Sequence, residues 1–291
     1  MKSKVYFTKE ITPLSLVKIY EAVGKELKGK VAIKISTGEP GGHNYLKPEL
    51  IRDLVNKLNG TIVECNTAYA GRRNDSSEHW KAIKEHGFMD IANCDIMDEV
   101  GEFSLPVSNG KHLKENYVGS HLKKYDSMLV LSHFKGHQMG GYGGALKNMS
   151  IGIASSAGKA WIHTAGVTKD VDKLWKNVAE QDSFLESMAE ACESVINYFD
   201  NKIVYINVVN NLSIDCDCCS NPEEPCMSDI GIVASIDPVA CDKACLDMIY
   251  NSEDSGKDRL IARIEKMHGI RTIEYSSELG LGSMEYEIIN I

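Results

Sequence analysis

The chain has 291 residues, 43% hydrophobic and 25% charged, which fits a packed globular protein that buries a core without disulfide staples. Its formal net charge is −9 and no Lys/Arg block of five or more occurs, so nucleic acid and anionic membrane surfaces are disfavoured as partners. No apolar run approaches the roughly 18 residues of a membrane span, and Met1–Phe7 lacks the apolar stretch of a signal peptide; the expected location is the cytoplasm.

In chain order, Val31–Ile35 reads as a strand, and a Gly/Pro-rich break follows at Gly38–Gly42. Pro48–Leu58 carries helical spacing through Leu50, Ile51, Leu54, Val55 and Leu58. Gly60–Cys65 is the next strand and Ser76–His86 the next helix. This alternation is the rhythm of parallel βαβ units. Asp126–Leu131 is a short apolar strand suited to burial on both faces. Asp170–Phe199 reads as mostly helical with a break near Asp182 and Ser183. Lys202–Val209 and Ile230–Ser235 are strands. Pro238–Tyr250 is a helix with Asp237 as its N-cap and Pro in its first turn, and Lys257–His268 is a helix that Gly269 ends. The predicted fold class is α/β, a mostly parallel sheet built from βαβ units with helices on both faces. Residues 1–291 read as one unit, with room for two lobes at about 1–125 and 126–291.

Nine cysteines are present, and four of them fall in the segment Cys216-Asp217-Cys218-Cys219-Ser220-Asn221-Pro222-Glu223-Glu224-Pro225-Cys226. In a reducing compartment, clustered thiols point to metal ligation more than to disulfides. Thiolates are soft ligands that suit iron–sulfur clusters, zinc or copper(I). The spacing is neither a ferredoxin run nor a paired zinc knuckle. Three readings therefore stand: an iron–sulfur cluster, a zinc or other mononuclear site, and structural or redox-active thiols. Cys216, Cys218 and Cys226 are the first ligand candidates and Cys219 the next. Adjacent Cys218 and Cys219 point to opposite sides of an extended chain. Three ligands would leave an open position for substrate. Cys65, Cys94 and Cys192 read as core residues, and so do Cys241 and Cys245, which share a helix face.

The strand at 126–131 runs into a segment rich in Gly, His and Lys, placed where open α/β sheets bind ligands. His133, Lys135 and His137 alternate, so an extended backbone puts them on one face, able to bind an anion or a metal or to move protons. A helix starting near Gly144 would add amide donors for carboxylate or phosphate, and Lys147 lies in its first turn. The glycine pattern is neither a P-loop nor a dinucleotide fingerprint. Arg72 and Arg73, just before a helix, are candidates for an anion clamp. Glu39 and His43 are pocket candidates by position.

The chain resembles the domain-of-unknown-function 362 family, whose members are commonly called iron–sulfur cluster-binding proteins. The matching blocks are Gly38–Gly41 with Asn44–Glu49, then Asn66–Arg73, then His133–His137 through Gly144–Asn148. Further matches are Cys216–Cys218, Asp229–Ile232, Ser235–Ala240 and Glu278–Ser283. The resemblance implies a cysteine-ligated cluster, 4Fe–4S first, in an anaerobic redox setting. Many members carry an appended ferredoxin module, which this sequence lacks, so an electron relay would have to come from a separate ferredoxin or other redox partner. The function expected is electron transfer, or redox activation of a small anionic molecule at His133, Lys135, His137 and Lys147. The alternatives are a non-redox enzyme using zinc or another divalent metal, and a carrier of metal or cluster. Assembly into a homo-oligomer stays open.

Overall fold

The structure is a computed structural model and describes residues 2–291. Its strands are β1 (Ser3–Thr8), β2 (Val31–Lys34), β3 (Thr61–Glu64), β4 (Cys94–Ile96), β5 (Glu102–Pro106), β6 (Glu115–Gly119), β7 (Ser127–His133), β8 (Lys135–His137), β9 (Gly141–Gly143), β10 (Ile203–Val209), β11 (Gly231–Ser235) and β12 (Tyr286–Asn290). Eight of them form one sheet in the order β12-β1-β11-β10-β7-β2-β3-β4. The run from β10 to β4 is parallel throughout. Only β11 runs antiparallel to its neighbours β1 and β10, and β12 lies parallel to β1. The sheet thus draws strands from both halves of the chain.

Both faces of this sheet are covered. Along β7, Met128 and Val130 join one core cluster while Leu129 and Leu131 join the other. Helices Pro13–Val23 and Pro48–Leu58 pack on the second cluster, and helices Gln181–Tyr198 and Pro238–Tyr250 on the first. This is why β7 and β10 read as continuous apolar runs: in a two-sided sheet neither face is free to be polar. Local signals start the helices as expected. Asp237 accepts from the Ala240 amide and Asp75 from the Glu78 amide, with Pro at the first turn of Pro48–Leu58 and Pro238–Tyr250.

Three local readings are corrected. The break in the 170–199 stretch falls earlier than Asp182: a 3₁₀ segment Val171–Lys176 gives way to the helix Gln181–Tyr198. The helix read as 257–268 ends two residues sooner, at Lys266, and Gly269 stands between it and a further helix, Ile270–Glu278. The helix after Gly144 spans only Ala145–Ser150, and its first free amides, Ala145 and Leu146, donate to the buried Asp242 carboxylate at 2.7 and 3.0 Å. That anion-binding position is filled by the protein's own side chain. No helix of the described residues is long and apolar enough to cross a membrane.

Candidate metal centre

From β2 the chain moves outward to β3 and β4, then returns to lay β7 and β10 on the other side of β2. The direction of winding therefore reverses between β2 and β7, and a crevice opens beyond the C-terminal ends of strands at such a switch. Lys34, Glu64 and His133 are the last residues of β2, β3 and β7, and all three line a cavity of about 270 Å³ at that edge. The hairpin β8–β9 brings in Lys135 and His137, and the loop after β10 brings in Cys216 and Cys218. Gly136 lets the two meet: a Cβ there would fall 2.5 Å from the Ile214 carbonyl oxygen, so only a glycine lets the hairpin lie against the cysteine loop.

His137, Cys216 and Cys218 each place a donor atom so that all three lie within 4.8 Å of one another, a group able to hold a metal ion. The His137 ring is fixed by its Nδ1, which accepts the Met139 and Gly140 amides at 3.2 and 2.8 Å. The Cys218 thiol donates to Cys216, and with Lys147, His137 and Lys135 nearby this holds Cys216 well below the usual thiol range. The same hydrogen bond and burial push Cys218 well above it. One thiolate and one thiol thus stand side by side, with the Lys147 ammonium 3.7 Å from the Cys216 sulfur.

Around this group the charges are mostly matched. Asp217 takes His133 at 2.8 Å and Lys135 at 2.9 Å. Burial alone would raise its carboxyl, but His133 and Lys135 beside it outweigh burial and hold it at about 2. The other His133 nitrogen faces the Asn210 carbonyl at 2.6 Å, so both ring nitrogens face acceptors. Deeper in, Glu64 pairs with Lys34 at 2.8 Å and Arg73 at 3.3 Å, and Arg73 also reaches Glu39 at 2.8 Å. Lys147 and Lys159 are the pocket cations with no carboxylate partner among the described residues.

The structure brings together His133, Lys135, His137, Lys147, Cys216 and Cys218, with Arg73 on the wall. The anticipated convergence of Cys216, Cys218 and Cys226 is not the geometry found. Cys226 packs against the core and donates to the Leu212 carbonyl at 3.2 Å, and Cys219 also lies outside the group of three. Arg72 and Arg73 do not form a clamp. Arg72 turns outward to Glu78 and Glu85, while Arg73 is buried on Glu39 and Glu64. His43 is half exposed and meets the exposed Glu224; Glu39 is buried as the partner of Arg73. Cys65 also lines the cavity, although burial pushes its thiol far up, and Cys192, Cys241 and Cys245 are core residues. Sequence reasoning missed Lys34, Glu64, Lys159 and His163. Charged residues closing two buried strands, Lys34 and Glu64, were the available signal.

Acid should destabilise this arrangement. Burial lowers His79 to about 3 and His163 to about 4, from an ordinary 6.5. The unfolded chain binds protons in that window that the folded chain refuses, so their contribution is full above pH 6.5 and fades as pH falls. Glu64 is held at about 2 by Lys34 and Arg73 against the opposing pull of burial, and its contribution is lost below about pH 4.5. The urea midpoint is therefore expected to fall steadily from pH 7 to pH 4. A midpoint that holds constant over that range would contradict the assignment of neutral buried histidines.

Fold and site together define an α/β protein with a buried imidazole–dithiol group able to hold a metal ion. The chain belongs to the family described as Domain of unknown function (DUF362), which matches residues 31–247. Among solved structures, it is similar to the lactate racemase apoprotein from Thermoanaerobacterium thermosaccharolyticum, with 12% identity, 86% of this chain and 57% of that chain covered, and a TM-score of 0.47. It is also similar to a crystal structure of a Thermotoga maritima protein, with 14% identity, 93% and 59% covered, and a TM-score of 0.44. The chain spans less than two thirds of the length of either. A search of the curated proteins returns no match.

Proposed function

We propose that the protein is a metal-dependent enzyme in which His137, Cys216 and Cys218 hold one ion and a small anionic substrate binds beside it. The observation that carries this reading is the compact donor set in the lining of a pocket, with two pocket lysines left without carboxylate partners. Two thiolates at about 2.3 Å from one tetrahedral ion stand about 3.8 Å apart, which fits donors lying within 4.8 Å of one another. A cluster spreads its thiolates over different irons, so they stand farther apart. Soft sulfur with imidazole suits zinc or ferrous iron. Such an ion, when bound, would supply Lewis-acid polarisation of an oxygen. Lys147 would balance the charge of the Cys216 thiolate, and the Asp217–His133–Lys135 group would fix the loop that carries both cysteines.

Cobalt-loaded protein tests this. Its visible absorption should show sulfur ligation and should change when acetate or another small anion is added, because the fourth position is open to the pocket. Absorption indifferent to every anion would mean a closed structural site and would sink the enzymatic reading.

A second reading, an iron–sulfur centre serving electron transfer with a separate ferredoxin, draws support from Cys219 and Cys226 on the same loop. It requires that loop to rearrange so that one of them joins Cys216 and Cys218. Near-equal iron and sulfide in anaerobic preparations would favour it over the single ion.

A further inference from the structure

We propose that Lys159 and His163 form the recognition end of the pocket, and that its ligand is a small monocarboxylate carrying an apolar group. This rests on the reading of the pocket as a substrate site and names the class of substrate. Both residues sit on the helix Ser156–His163, four positions apart and hence on one face, and both line the cavity that holds the thiols. Lys159 is only 7% exposed, yet its Nζ meets just the Ala154 carbonyl, at 2.6 Å, and no carboxylate. A buried ammonium is costly without an opposite charge, and every other buried cation of the pocket has one: Lys34 has Glu64, Arg73 has Glu39 and Glu64, Lys135 has Asp217. Lys147 is half committed to the Cys216 sulfur.

His163 adds an acceptor. Its Nδ1 donates to the Lys159 carbonyl at 2.7 Å, which leaves the Nε2 lone pair without a protein partner. The ring is fixed by stacking on Phe184 with centroids 4.7 Å apart. The site thus offers one cation, and the neutral His163 acceptor, which cannot bond a carboxylate oxygen, disfavours further anionic oxygens beside it. A dianionic phosphate would call for guanidinium forks or a cradle of amides, but Arg73 is taken and the Ala145 and Leu146 amides are closed by Asp242. A single carboxylate matches the single free charge. The remaining wall at this end is apolar, with Ile151, Leu174 and Trp175, the last 57% exposed at the rim.

Calorimetry on zinc-loaded full-length protein with acetate, 3-phenylpropionate and inorganic phosphate tests the assignment. The wild type should bind 3-phenylpropionate more tightly than acetate and should bind phosphate least. Lys159→Met, which keeps the stem and removes the charge, should weaken 3-phenylpropionate at least about tenfold with zinc content unchanged. Trp175→Ala, at an exposed position with little bearing on folding, should weaken 3-phenylpropionate but not acetate. Phosphate binding as tightly as the carboxylates, or both variants binding like wild type while holding zinc, would overturn the inference. If zinc fails to bind but 3-phenylpropionate still binds in a Lys159-dependent way, the metal reading falls and this one stands.

Discussion

Cys218→Ser is expected to lower zinc affinity by at least about 100-fold. The reason lies in how the two thiols divide their labour. Cys216 is held as thiolate by the Cys218 hydrogen bond and by Lys147, His137 and Lys135, whereas Cys218 keeps its proton. Metal binding must therefore remove the proton from Cys218, while His137 ligates as a neutral imidazole, and about one proton should be released per ion at neutral pH. Without the second sulfur, two protein ligands remain. Competition with a chromophoric chelator under anaerobic conditions gives the affinity, and a weakly buffered pH indicator gives the protons. Cys226→Ser should leave both readouts unchanged, because Cys226 is engaged with the Leu212 carbonyl. The reverse pattern, with Cys226 required and Cys218 dispensable, would refute the ligand set.

The largest effect on stability is expected from Glu64→Gln. Glu64 receives Lys34 at 2.8 Å, Arg73 at 3.3 Å and the Thr37 amide at 2.8 Å, and Lys34 is 1% exposed. Removing the carboxylate leaves one buried ammonium without a counter-charge and Arg73 with only Glu39. Breaking a buried pair from one side costs about 3–5 kcal/mol, which lowers Tm by roughly 10 °C in a chain of this size. Lys34→Met combined with Glu64→Gln should recover much of that loss, since the unpaired charge goes with its partner. If the single variant melts like wild type, water reaches this network and the pocket floor is not dry.

The parts of the fold visible from sequence were those where local chemistry and tertiary structure agree. Pro48–Leu58 and Pro238–Tyr250 match their observed bounds because an N-terminal proline, an apolar stripe and, in the second, a capping Asp237 all point the same way. The strands β2, β3, β7, β10 and β11 were legible as short apolar runs. The edge strand β12 carries exposed residues and takes its identity from pairing with β1, near the opposite end of the chain; no local pattern encodes that. The hairpin β5–β6 likewise takes its identity from pairing of one strand with the other.

The site divides in the same manner. Soft-ligand chemistry picked out Cys216 and Cys218, and position after a strand picked out His133, Lys135 and His137. What sequence spacing could not supply is which side chains turn inward. Arg72 and Arg73 are neighbours in one 3₁₀ turn, so successive side chains diverge, one to the surface and one to the pocket. Cys226 is close to Cys218 in sequence, yet Leu212 claims it from the far side of the loop. Lys34 and Glu64 close adjacent parallel strands, and opposite charges at the ends of two apolar runs are a signal that strand reading alone passes over.

In the proposed centre, one imidazole and two sulfurs hold one ion. X-ray absorption at the metal edge of anaerobically prepared, metal-loaded protein measures that directly. It should show two sulfurs at about 2.3 Å and nitrogen or oxygen at about 2.0 Å, with no metal–metal scattering. Strong metal–metal scattering, or a shell of nitrogen and oxygen without sulfur, would contradict it.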